Sequence, residues 1–179
     1  MKENRVSLWR FDSRHSFWRQ VSCRLARSMD SVVLDPAIKK PLLEDLNWFV
    51  KEETRVFYAS HGIPYHRCYL FHGEPGTGKT STIHALAGYL ERNLCFMQMD
   101  SSMTDDAFRN AMTKLPDAAV VVLEDVDALF TNHRESDQHS SSLSFSGFLN
   151  ALDGLGAPDD VATDLPPFST NSKTSSSKC

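Results

Sequence analysis

The sequence predicts an α/β fold in which a parallel sheet carries a phosphate-binding loop. Three observations predict it. Segments of strand and helix character alternate from Cys68 to Leu152. The residues GEPGTGKT (Gly73 to Thr80) fit G-x-x-x-x-G-K-[ST] between a short apolar segment and a helical one. The run AAVVVLE (Ala118 to Glu124) is continuously apolar until it ends in carboxylates, as a strand covered on both faces does.

Each element has its own reason. Asp35-Pro36 reads as an N-cap followed by a first-turn proline, and Leu42, Leu43, Leu46, Phe49 and Val50 recur at helical spacing. Pro41 is expected to kink or restart that helix. A short helix from Glu53 to Ser60 stops at Gly62. CYLFH (Cys68 to His72) reads as a strand, Lys79 to Leu90 as a helix, LCFMQM (Leu94 to Met99) as a strand, and Thr104 to Leu115 as a helix. Phe145, Phe148, Leu149 and Leu152 mark a last amphipathic helix. From Pro158 the Ser/Thr/Lys-rich tail has no amphipathic period and reads as unstructured.

At 179 residues, 41% apolar and 23% charged, the chain can bury one ordinary core. Its net charge of -4 speaks against nucleic acid as the main partner. No apolar run approaches the ~18–20 residues of a membrane span, and the first residues lack a secretory core, so the chain reads as soluble. Cys23, Cys68, Cys95 and Cys179 are too far apart for a zinc knuckle or redox pair and read as reduced thiols. Before Ser31, Lys2, Arg5, Arg10, Arg14, Arg19, Arg24 and Arg27 outnumber Glu3, Asp12 and Asp30, with Trp9, Phe11, Phe17 and Trp18 interleaved. Such an arm either touches phosphate or anionic lipid or is the remnant of a preceding domain. The remnant is the favoured reading, which divides the chain into 1–30, a core over 31–157 and a tail over 158–179.

The chemistry sits in two places. Glycines let successive backbone N–H groups turn inward around phosphate oxygens, and a helix N-terminus adds its positive end. Lys79 is expected to reach the β- and γ-phosphates and the Thr80 hydroxyl to ligate Mg²⁺. A buried strand ending in Glu124 and Asp125 delivers one carboxylate to the metal shell and one to a water, since ligands gather at the carboxyl ends of parallel strands. Glu124 is assigned to the metal and Asp125 to the water. No N-K-x-D base reader of a GTPase is present.

Together SVVLD (Ser31 to Asp35), GIPYHRCYLFHGEPGTGKT (Gly62 to Thr80), DSSMTDDAF (Asp100 to Phe108), LEDVDALF (Leu123 to Phe130) and FSGFLNALDG (Phe145 to Gly154) resemble AAA-type ATPases. More narrowly, they resemble the family of the mitochondrial respiratory complex III assembly chaperone, which translocates the Rieske iron–sulfur protein. The resemblance implies an AAA-type P-loop NTPase fold, a three-layer αβα sandwich that here is incomplete at its C-terminal side. It implies ATP and Mg²⁺ as ligands, hydrolysis coupled to moving a protein client, a homo-oligomeric ring and the mitochondrial inner membrane. Phosphate-loop roles fall on Gly73, Pro75, Gly76, Thr77, Gly78, Lys79, Thr80 and Ser81, catalytic roles on Lys79, Glu124 and Asp125, and metal roles on Thr80 and Glu124. Backbone near Val33 would hold the adenine. The Glu-Asp order, reversed from most AAA proteins, is usual in that family.

The resemblance stops after LNALDG. The family's next strand with its sensor asparagine, its arginine fingers and its lid have no counterpart, and no arginine follows Arg134. A truncated or frameshifted chain is expected. The strand lacking would lie between those of the loop and of Glu124, so these carboxylates would shift by about one strand spacing, ~4.8 Å. In-line attack does not tolerate that. The alternative function is therefore a nucleotide-binding or interaction fragment that does not hydrolyse ATP.

Overall fold

The computed structural model describes residues 4–100, 102–126 and 143–153. The chain opens on two antiparallel strands, β1 (Arg5–Asp12) and β2 (Phe17–Leu25). The turn between them is held by the Asp12 carboxylate, which accepts the N–H groups of Arg14 and His15 at 3.0 and 3.2 Å. A 3-10 turn (Met29–Ser31) leads to α1 (Pro36–Phe49) and α2 (Glu52–Ser60). Then follow α3 (Lys79–Tyr89), β3 (Asn93–Gln98), α4 (Asp105–Thr113), β4 (Ala119–Glu124) and α5 (Phe145–Asp153).

The described sheet has the order β2-β1-β3-β4. β3 runs parallel to both neighbours, with Trp9 beside Cys95 and Cys95 beside Val121. Alternation along β3 sorts its side chains between two helical layers. Leu94 and Phe96 pack with Val6, Ile83 and Ala87 under α3. Cys95 and Met97 pack with Phe108, Ala111 and Met112 of α4 and with Phe148 and Leu152 of α5. A third cluster joins Leu42, Leu43 and Leu46 of α1 to Ala85 and Leu86 on the outer side of α3. The result is a three-layer α/β arrangement with a mostly parallel sheet, as a P-loop NTPase fold requires.

Three expectations meet a different outcome. The aromatic arm folds as β1 and β2 and supplies two of the four strands. Val6, Phe11 and Trp18 are buried there, and the Trp18 indole N–H donates to the Ala111 carbonyl at 2.9 Å. The bulge between Leu8 and Trp9 breaks the strict alternation that would have revealed these strands. Next, α1 runs unbroken through Pro41. Pro41 forfeits one backbone bond, and burial of Leu46 and its neighbours against α3 outweighs that loss.

The third difference bears on the site. Cys68 to His72, expected as a strand, carries none. A strand persists only where a neighbour completes its ladder. Among the described residues β4 is the sheet edge, and Cys68–His72 does not pair with it. Leu70 is accordingly 85% exposed. Side chains hold the segment instead: Arg67 and Tyr69 both donate to the Asp45 carboxylate on α1. The Tyr65 ring stacks on Phe49 at 4.4 Å and its O–H donates to the Phe49 carbonyl. Asp127 to Phe130, Gly154, the tail 158–179 and Cys179 lie outside the described residues.

Candidate functional site

Gly73, Gly76 and Gly78 adopt φ of 133°, 82° and 89°, a left-handed region that any other residue enters only with strain. Three such positions in six residues curl the chain into a loop that ends on the first turn of α3. Gly78 is the N-cap and contributes no side-chain cap. Among the described residues, the N–H groups of Lys79, Thr80 and Ser81 have no protein partner; the first bond of the helix is from the Thr82 N–H to the Gly78 carbonyl, 2.9 Å. Uncapped donors at the positive end of an eleven-residue helix form an anion site. An added Cβ at Gly76 or Gly78 would meet nothing within 4 Å, so the loop is open at these two positions.

The Lys79 ammonium folds back over this loop and donates to the Gly73 and Glu74 carbonyls, both at 2.8 Å. The Thr77 hydroxyl donates to the Glu74 carbonyl at 2.9 Å. Pro75, Thr77 and Thr80 are exposed and Ser81 half-buried. These contacts hold the loop as one unit with its cation at the mouth. A nucleoside triphosphate with its divalent metal fits the donor set: amides and an ammonium for phosphate, a first-turn hydroxyl for the metal.

Val33 is 97% exposed, between Val32 and Leu34, which join the cluster of Leu86 and Phe71. That cluster ties the SVVL segment to the chain entering the loop. Glu124 closes β4, opposite Gln98, and its carbonyl accepts the Met99 N–H at 3.1 Å. Asp125 follows, exposed, at a φ of 56°, where the backbone leaves the extended conformation of the strand. Because α3 leads back along the sheet into β3, its N-terminus lies toward the carboxyl ends of β3 and β4, the end that bears Glu124 and Asp125. No hydrogen bond or ion pair among the described residues joins Lys79 or Thr80 to Glu124 or Asp125. Gly73 to Ser81 thus form one built unit, and the two carboxylates a second.

Between α1 and the loop lies a brace that no sequence spacing announces, because its partners are far apart in the chain. The Arg67 guanidinium, and next the Tyr69 hydroxyl, hold the Asp45 carboxyl below its usual range. Burial, and next the hydrogen bond to the Asp45 carboxylate, push the Tyr69 phenol up to about 12.

Residues 69–164 match the model of the ATPase family associated with various cellular activities (AAA). The chain is 39% identical over 140 residues to a probable mitochondrial chaperone bcs1 of Schizosaccharomyces pombe, covering 76% of this chain and 31% of that protein. It is 38% identical over 152 residues to the mitochondrial chaperone BCS1 of Homo sapiens, covering 80% and 36%. With an AAA-ATPase of Arabidopsis thaliana it shares 30% identity over 145 residues, covering 77% and 30%. The chain spans about a third of the length of these curated relatives.

Proposed function

The chain belongs to the AAA family of ATPases, and from that premise we propose that Gly73 to Ser81 bind ATP with Mg²⁺. One observation carries the reading: the uncapped first turn of α3 stands behind three left-handed glycines, with Lys79 as its first residue. Bound phosphate would take the amides of this turn and draw the Lys79 ammonium off the Gly73 and Glu74 carbonyls. Thr80 and Glu124 would serve the metal, Asp125 a water, and backbone beside Val33 the base. Mg²⁺ supplies charge stabilisation at the phosphates. The names of the relatives support a mitochondrial chaperone; we infer that it is a translocase working as a homo-oligomeric ring on a protein client. A Rieske-type iron–sulfur protein of complex III at the inner membrane is the client and place we infer.

A thermal unfolding scan with and without millimolar Mg-ATP tests the binding. Ligand at about 100 times its dissociation constant adds about 2.7 kcal/mol to a competent site. The transition is expected to rise for the parent chain and to stay put for Lys79→Ala, while Thr80→Ala should lose more of the parent's response to Mg-ATP than of its response to metal-free ATP. A parent transition that ignores ATP overturns the reading.

A second reading has its own support. Among the described residues neither β4 nor Cys68–His72 has a strand beside it on the side of the loop, so the carboxylates and the phosphate loop lack a shared ladder to set their spacing. We infer that the chain by itself binds Mg-ATP without turning it over. Steady-state phosphate release that Lys79→Ala abolishes would overturn this.

A further inference from the structure

We propose that the exposed side of the β1–β2 hairpin docks on an anionic phospholipid surface. Among the described residues β2 is one outer strand of the sheet. Phe17 and Val21 on it are 45% and 58% exposed, and Arg19 and Arg24 are exposed beside them. Register places Arg10 directly across from Arg19. Like charges directly opposed on one sheet face destabilise the pair. Among the described residues no carboxylate relieves them: Arg10, Arg19 and Arg24 make no ion pair, and the Asp12 carboxylate is engaged by the turn and by His15.

The guanidinium groups of Arg24 and Arg27 also act on His84 of α3. Burial first, and the charges of Arg24 and Arg27 next, hold the His84 imidazole below its usual pKa. A chain of net charge -4 thus gathers guanidinium groups at one sheet edge. The apolar side chains among them choose the partner. A nucleic acid would take up the arginines and leave Phe17 and Val21 in water. An anionic bilayer takes both, with guanidinium groups among the headgroups and the apolar side chains at the acyl boundary.

Flotation of the full chain with phosphatidylcholine vesicles, with and without phosphatidylglycerol, tests the proposal. Binding is expected only with phosphatidylglycerol and is expected to weaken as salt rises. A surface cation is worth about fivefold in partitioning. Arg19→Glu, which reverses one charge, should therefore lower binding roughly 25-fold. The same variant places a carboxylate opposite Arg10, so its thermal transition should hold or rise, which separates lost docking from lost folding. Arg24→Gln, with no partner to gain, should lower binding about fivefold. Equal binding to neutral vesicles, or binding unchanged in both variants, overturns the proposal. So does competition by duplex DNA that Phe17→Ser and Val21→Ser leave untouched, which would mark the edge as a nucleic-acid surface.

Discussion

Lys79 and Cys95 mark the two extremes of what one residue owes to its neighbours. Lys79 answers to local chain geometry: it follows a left-handed Gly78, opens α3, and reaches back to carbonyls five and six residues away. Its placement is legible in GEPGTGKT because both carbonyl partners are within the motif. Cys95 answers to tertiary burial. It is fully buried between Trp9 and Val121, and burial pushes its thiol up to about 12 from an ordinary 9.0. The folded chain keeps that proton through a window in which the unfolded chain releases it. Stability from this group is therefore full below pH 9 and falls as pH rises toward 12, by at most about 1.4 kcal/mol per pH unit. Tyr69 adds a loss of the same sign as pH passes from its ordinary 10 to about 12. Urea midpoints measured across this range should fall, and Cys95→Ala should flatten the decline above pH 9. A thiol reagent should modify the exposed Cys68 in the native chain and Cys95 only on unfolding.

At the scale of elements, spacing announced the helices and left their seating open. Thr104 caps α4 by accepting the Ala107 N–H at 3.1 Å, a local signal. The joint between α4 and α5 is not local. Asp105 accepts the backbone N–H and hydroxyl of Ser144 at 2.6 and 2.8 Å, while Ser144 accepts the Gly147 N–H at 2.9 Å. A Cβ at Gly147 would press on the Asp105 carboxylate. Asp105 cannot swing away without releasing Ser144, so Gly147→Ala should destabilise by about 1–3 kcal/mol. In Asp105→Ala the clash is gone, and the added cost of Gly147→Ala should vanish; a urea double-mutant cycle reads that coupling. The same logic explains why α1 does not restart at Pro41 and why the strand expected at Cys68–His72 is absent. Pro41 sits inside α1 because Leu42, Leu43 and Leu46 anchor the helix on both sides of it. Cys68–His72 has an apolar strand's composition and no strand to pair with.

For the whole molecule, the order β2-β1-β3-β4 places β3 at the centre, with Leu94, Cys95 and Met97 at 0% exposure. Amide exchange should be slowest along β3, faster in β2 and β4, and fastest in Cys68–His72; protection of that last segment equal to β3 would mean that it has found a strand partner. By itself the sequence determined the α/β class, the helices, the glycine-rich loop that opens α3 and the AAA resemblance that residues 69–164 bear out. Each of these depends on residues close together in the chain, through helical period, capping or glycine freedom at a turn. Only the tertiary structure decided that the aromatic N-terminal residues complete the sheet and that Cys68–His72 is held by the Asp45 brace rather than by a ladder. It alone set Arg10 opposite Arg19. Strand partners are chosen by burial and backbone pairing between segments distant in the chain, and no local pattern encodes that choice.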